Sequence, residues 1–416
     1  MENQKCDNTK VSAWCIVSMA SIPLVMTLGN SMLIPVLPVF EEKVNITSFQ
    51  SSMIITSYSI ASIFLIPVAG YLSDRIGRKK VILPSLILAL IGGLIAGFVS
   101  WKMDNPYTWI ILGRVLQGIG AAGATPIVLP LVGDLYKADD EKTSSCLGII
   151  ETSNTFGKVL SPILGSLFAS LIWFLPFFSI SFFSLISIVL VFFFIKVPKN
   201  NHAPIKFKEF LNKTKVTFEE GGKWLSVVFL LGVFVMLVLF AVLFFLSESL
   251  EKLHDLKGIK KGFVLAIPLF FLCISSYVAG RKIKGSIPLM RRIILISLIL
   301  MSGSIVFVGY TKEKIVLLLI ITSVLGIAIG AMLPTLDALI TENIEKTQRG
   351  TISSFYSSAR FIGVAAGPPL MSVLMKNYLN ISYIIAGVFG IILLFLAFKL
   401  LKENTMKMNA EEKTES

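Results

Sequence analysis

Between residues 143 and 170 an acid and a cation, Glu151 and Lys158, fall with Gly148, Thr155, Pro162 and Gly165 at steps of three and four. That spacing gathers side chains on one face of a helix. The stretch is also long enough to cross a bilayer. A charge at membrane depth costs at least about 3 kcal/mol on insertion scales, so both groups should face water or each other across a cavity. A carboxyl so placed can take up and release a proton; the alternative is a fixed ion pair that locks the helix. Arg114, inside another apolar run, is a permanent cation that can hold a neighbouring helix or act on a proton site but cannot itself release a proton. Asp337 stands near the end of a later run, where a solvated interfacial acid is the other reading, and Arg360 lies in the run after it. The candidates for proton coupling are therefore Glu151, Lys158, Arg114 and Asp337.

Other chemistry finds no support in the residues. There is no G-x-x-x-x-G-K-[ST] phosphate loop, and His202 and His254 sit in polar segments without metal-ligand spacing, so no cofactor, no metal and no covalent catalysis are expected. Cys6, Cys15, Cys146 and Cys273 have no paired spacing and are expected as free thiols. A formal net charge of +13 could suit nucleic acid, but a binder of that kind needs its cations on one wet patch. Here they alternate with apolar runs, and no nucleic-acid partner is expected.

The elements that position these residues are membrane helices. With 55% hydrophobic and 15% charged residues over 416 positions, and a mean hydropathy of +0.81, the chain has too little polar surface for a soluble fold. About twelve apolar runs of spanning length recur from end to end. The fold class expected is all-α, a polytopic membrane protein of two six-helix bundles. Residues 1–195 form the first, 196–223 a lysine-rich linker on the cytoplasmic side, 224–402 the second and 403–416 a polar, disordered tail. In the linker Phe207, Phe210, Leu211 and Val216 suit one face of a short surface helix. Lys and Arg are concentrated in alternate connecting segments, on the side that holds both termini, which puts both ends in the cytoplasm. The first apolar run is full-length and stays as a span rather than a cleaved leader.

The halves echo one another. Gly118, Ala122, Pro126 and Asp134 recur at a constant offset as Gly326, Gly330, Pro334 and Glu342, and Gly157, Ser161 and Pro162 recur as Gly363, Gly367 and Pro368. Parallel repeats of this kind place a substrate cavity near the bilayer midplane between two bundles that rock against each other. Phenylalanines at 177, 178, 182 and 183 and at 229, 234, 240, 244 and 245 are expected mostly to pack or face lipid, with a few walling that cavity.

Between the second and third spans lies Gly70–Lys80, GYLSDRIGRKK, a tight basic loop with one acid, Asp74. Its G-x-L-x-D-R-x-G-R-K spacing resembles the signature loop of the major facilitator superfamily. Leu28 to Pro38, LGNSMLIPVLP, resembles the L-G-x5-P-x-x-P pattern of the twelve-span drug:proton antiporters in that superfamily. Arg114, Gln117, Gly118, Gly120, Ala121 and Ala122 match its R-x-x-Q-G-x-G-A-A pattern, and Gly148, Gly157, Ser161, Pro162 and Gly165 resemble its antiporter motif, with Ser161 and Ser166 where glycines are usual.

The resemblance implies a proton-coupled secondary transporter that exports small amphipathic molecules by alternating access: a drug, as in multidrug efflux and antibiotic resistance, or a native metabolite such as a siderophore. A nutrient importer and a non-transporting receptor or scaffold are the alternatives. The expected partners are a small-molecule substrate, protons and the bilayer of a bacterial cell membrane, with a monomer sufficient. The resemblance further implies a conformational switch of Asp74, Arg75, Gly77, Arg78 and Asp134. In it Arg78 lies near Asp134, and Asp74 sits at the start of the eleventh helix, where Thr351 and Ser353 are possible caps.

Overall fold

The computed structural model describes residues 13–135, 140–195, 207–283, 286–344, 346–377 and 379–401, and these are almost wholly helical. The first pass is broken: α1 (Ala13–Ser31), a 3-10 turn (Ile34–Val36) and α2 (Leu37–Val44) run in series. Then follow α3 (Ser48–Ile76), α4 (Arg78–Lys102), α5 (Tyr107–Leu135), α6 (Asp140–Leu171) and α7 (Leu175–Phe194). The second bundle holds α8 (Phe207–Lys252), α9 (Gly258–Ile283), α10 (Ile287–Thr311), α11 (Ile315–Asn343), α12 (Lys346–Asn377) and α13 (Leu379–Leu400). Successive passes alternate in direction, so Ala13 and Leu400 lie at one end of the bundle, here the terminal end, and the 45–47 and 253–257 connections at the far end.

Eleven passes are long and apolar enough to cross a membrane. The remaining pass is α6, whose 32 residues suffice in length but carry Glu151, Asn154 and Lys158 in the interior. The helix that fails on apolarity is thus the one whose polar residues suggested chemistry.

Local signals account for the boundaries. Thr47 and Gln50 form a capping box that starts α3, so two backbone donors of its first turn are satisfied by side chains. Gly77, at φ 102°, separates α3 from α4 in a conformation that side-chain-bearing residues rarely adopt, and so makes the tight loop possible. Lys79 donates to the carbonyls of Phe192 (2.8 Å) and Ile195 (2.7 Å), closing the end of α7 with a cation. α8 begins inside the expected linker and has non-helical geometry at Gly222 (φ 62°, ψ −160°), a glycine kink between the linker helix and the spanning part. Residues 1–12, 196–206 and 402–416, with Cys6, His202 and the expected tail, lie outside the described residues, as do the side chains of 207–221 on which an amphipathic face was expected.

Small residues of the repeat make equivalent close approaches in both halves. Gly118 of α5 lies against the Tyr58 carbonyl of α3, while Gly326 and Gly330 of α11 lie against the Pro268 and Leu272 carbonyls of α9. Gly157 of α6 meets Leu24 and Thr27 of α1, and Gly363 and Gly367 of α12 meet the Val233 and Leu237 carbonyls of α8. The two halves are joined by α3 against α12 and α6 against α9. A Cβ at Gly363 collides with backbone atoms of Val233 and Leu237, which cannot swing aside. Gly363→Ala is therefore expected to lower stability in detergent by about 1–3 kcal/mol, read as a lower melting midpoint. Gly148→Ala, with nothing within 4 Å of the added carbon, should leave the midpoint where it is.

Candidate functional site

The middle of the molecule holds four charges from three helices. Arg360 of α12 pairs with Asp337 of α11, its Nη1 lying 3.2 Å from Oδ1 and 3.4 Å from Oδ2, which supplies the partner that sequence could not name for Arg360. The Asp337 side chain is 37% exposed and that of Arg360 17%. On α6, the Asn154 amide donates to the Glu151 carboxylate at 3.3 and 3.4 Å, and Asn154 accepts from Thr27 of α1 at 2.6 Å. Glu151 and Lys158 stand two turns apart on α6, and among the described residues no ion pair joins them. The fixed pair considered from sequence is absent there. Lys158 is buried, and its Nζ has no hydrogen-bond partner among the described residues.

Lys158 lines a narrow pocket between the halves, walled by Ser31, Pro35, Pro162, Phe240, Leu243 and Leu269 among others. Phe240 is the member of the aromatic set that reaches it. Phe177, Phe234, Phe244 and Phe245 are core residues, and Phe182 is 60% exposed on the outside of the bundle.

Arg114 is fully buried, and its guanidinium donates to the carbonyls of Ile54 (2.8 Å) and Gly29 (2.8 Å) and to Gln117 Oε1 (2.6 Å), with the Tyr58 ring 4.6 Å from its carbon. These contacts tie α5 to α3 and α1. No carboxylate touches it among the described residues.

The antiporter-motif residues of α6 serve two neighbours. Gly157 and Gly165 admit α1, Gly165 closing on the Met32 carbonyl, while Ser161 donates back to the Gly157 carbonyl at 2.7 Å. Pro162 and Ser166 instead face Gly262 of α9, whose absent side chain lets the two halves meet. Gly148 stands in open space near the terminal end.

At the terminal end Arg78 donates to Ser73 Oγ (2.6 Å) and pairs with Asp74 (2.5 Å) and Asp134 (3.2 Å), while Arg75 is exposed in the last turn of α3. Gly70 is helical rather than part of the turn, and its face abuts Ser354 of α12 one turn from Asp74. The capping expectation needs correction. α12 starts at Lys346, because the polar segment before Thr351 continues the helix, so Thr351 and Ser353 lie beyond its first turn and cannot cap it.

A further constellation at the far end was missed from sequence. Lys252 pairs with Glu248 and, across the halves, with Glu41 at 3.1 Å; Glu41 also accepts from Ser48 and Ser51, each at 2.8 Å. Lys261, 1% exposed, pairs with Glu251 at 2.6 Å and donates to the Pro35 carbonyl of the other half at 2.8 Å. Ser247 donates to the Ile34 carbonyl at 3.1 Å. Pro38 has no N–H to offer the carbonyl of Ile34 four residues earlier, so that oxygen, bonded by the Leu37 N–H in the 3-10 turn, keeps room for the Ser247 hydroxyl of the second half. The available signal was Glu248, Glu251 and Lys252 closing a long apolar run; the partners in the other half, such as Glu41 for Lys252, more than 200 positions away, had none.

The sequence matches the family model of the Major Facilitator Superfamily over residues 19–311 and 290–416. The chain belongs to that superfamily. It is 51% identical over 381 residues to the bacillibactin exporter of Bacillus subtilis (strain 168), covering 92% of this chain and 94% of the exporter. It is 23% identical to multidrug resistance protein 2 of the same organism, covering 86% of this chain and 88% of that one. Its fold matches the crystal structure of a D-xylose-proton symporter with a TM-score of 0.77 at 15% identity, covering 94% of this chain and 98% of the symporter. The molecule is thus a multi-pass membrane transporter of the major facilitator superfamily. Its all-helical fold is that of the superfamily's solved members, and its pocket lies where the two bundles meet.

Proposed function

We propose that this protein exports a small amphipathic molecule, of which a siderophore of the bacillibactin kind is the foremost case, in exchange for protons. The observation that carries the reading is the 51% identity to an exporter of that molecule over nearly the whole of both chains. The acid and cation on α6, on a helix that touches the other half, support proton coupling. The far end is then the outer face, and the terminal end with both termini is cytoplasmic, in a bacterial cell membrane. The halves, 1–195 and 224–402, rock about the 196–223 linker as a monomer. Proton entry from outside and substrate loading from inside favour opposite conformations, and no covalent bond is broken.

The test is flux in sealed proteoliposomes under an imposed pH gradient, with bacillibactin and a chemically broad panel. Accumulation of bacillibactin driven by counterflowing protons is expected; flux only along with protons would make the protein an importer, and no flux of any compound would end the transport reading.

Asp74 with Arg78 and Asp134 is proposed as the switch at the cytoplasmic end, holding α3 against α12 while the outer end is open. Asp74→Asn should weaken that outward-open state by about 1–2 kcal/mol, the size of a charge-assisted bond. Distance measurements between labels on the cytoplasmic ends of α6 and α9 check this. A variant with wild-type populations at every pH would remove the switch role.

A further inference from the structure

We propose that Lys158 is the anion-recognition group of the transported molecule: the central cavity takes a ligand with one anionic oxygen group on an aromatic or apolar body. The inference rests on reading that cavity as the substrate's site. Three features of the structure lead to it. Lys158 is more than nine-tenths buried, its Nζ has no hydrogen-bond partner, and no carboxylate lies within ion-pair distance of it among the described residues. The acids in its surroundings are otherwise engaged: Asp337 is held by Arg360, and Glu151, two turns away on the same helix, is held by Asn154. Apart from Ser31, the rest of the wall is apolar, from Pro35, Pro162, Phe240, Leu243 and Leu269 among others.

Taking an ammonium out of water costs several kcal/mol when nothing replaces its hydration. A solvating partner inside the protein would remove that cost in the resting cavity; here the neighbouring acids are engaged elsewhere and the Nζ makes no hydrogen bond among the described residues. The arrangement therefore leaves a strong, directional donor whose energy is released when an anion enters, and releases little for a neutral molecule of the same shape. The apolar wall contributes affinity for the ligand's body, which enters as the halves move apart. Ile34 and Pro35 line this cavity and also accept the Ser247 and Lys261 bonds that close the far end, so a ligand held by Lys158 lies directly beneath that closure.

The experiment is equilibrium binding of naphthoate and of neutral naphthamide to the full-length protein in phosphatidylcholine nanodiscs, with no gradient. Wild type is expected to bind naphthoate about tenfold or more tighter than naphthamide, the range of a charged hydrogen bond. Lys158→Gln should bring naphthoate to within about twofold of naphthamide while naphthamide affinity is kept, which also reports an intact cavity; Lys158→Arg should retain most of the preference. Equal affinities in wild type, a preference that survives Lys158→Gln, or binding of neither probe overturns the proposal. So does loss of the preference when phosphatidylglycerol replaces phosphatidylcholine, which would make the site a lipid headgroup's. Binding needs no gradient, so Lys158-dependent anion selectivity without pH-driven flux retires the exporter reading and leaves this one standing, and flux without selectivity does the reverse.

Discussion

Lys261→Met is expected to shift the protein strongly toward a conformation open at its far end. Lys261 is 1% exposed, pairs with Glu251 of its own half at 2.6 Å and joins the other half through the Pro35 carbonyl at 2.8 Å. Removing one partner of a buried pair costs about 3–5 kcal/mol, because the other charge stays behind unpaired. In the far-open state Glu251 regains water, so most of that cost falls on the closed state alone. A shift of about 3 kcal/mol changes the population ratio by about a hundredfold or more. Spin labels at Leu171 and Leu253, both exposed at the far end, would report it as a longer distance distribution in the variant. Replacing Glu251 by Leu in the same molecule should restore much of the closed population, since two apolar neighbours leave no stranded charge. A Lys261→Met distribution identical to wild type would mean that the Lys252–Glu41 and Ser247–Ile34 contacts and the packing of α6 on α9 hold the far end without Lys261.

This closure shows what a single sequence could and could not disclose. The passes were legible because a spanning helix satisfies its own backbone and must be apolar, and because glycine at a positive φ, as at Gly77, is a local requirement. The repeat of glycines and prolines disclosed two related halves with closely packed helices, since close approach needs a missing side chain, but not which helices pair. α6 was legible for the opposite reason: Glu151 and Lys158 interrupt an apolar pattern at helical spacing.

Partnership between charges was not legible. Arg360 and Asp337 meet because adjacent passes run in opposite directions, and Glu41 meets Lys252 because two bundles come together. Neither fact is a property of spacing along the chain. The reading of Leu28–Pro38 as a family pattern likewise gave no role to its prolines, of which Pro38 leaves room at the Ile34 carbonyl for Ser247 of the other half. Lys158 and Glu151 could be put on one face from sequence, but whether they pair depends on rotamers and on Asn154, which reaches the acid and bridges it to Thr27.

Glu151→Gln is expected to abolish uphill, pH-driven transport while leaving exchange of substrate for substrate. Of the two acids in the central cluster, Asp337 has the Arg360 guanidinium to neutralise it, whereas the Glu151 carboxylate is met by the Asn154 amide alone among the described residues. A neutral amide stabilises a carboxylate by hydrogen bonding but leaves its charge in place, so a proton is what remains to neutralise Glu151 when water leaves the cavity. Glutamine keeps the size and still accepts from Asn154, so the link through Asn154 to Thr27 of α1 should survive and the fold with it. Energetic coupling between two ligands is about 1–3 kcal/mol, so removing the proton's site should lower gradient-driven accumulation by about 5- to 150-fold. Counterflow, which needs substrate to move the halves but no net proton transfer, should stay within about threefold of wild type, less than the smallest such coupling. Both are measured in the same proteoliposomes, with and without an imposed gradient. Asp337→Asn is the comparison: it strands the buried Arg360 charge and should impair counterflow and uphill transport together. Full uphill transport by Glu151→Gln would remove Glu151 from the proton path, and an uphill loss confined to Asp337→Asn would move the proton site to α11.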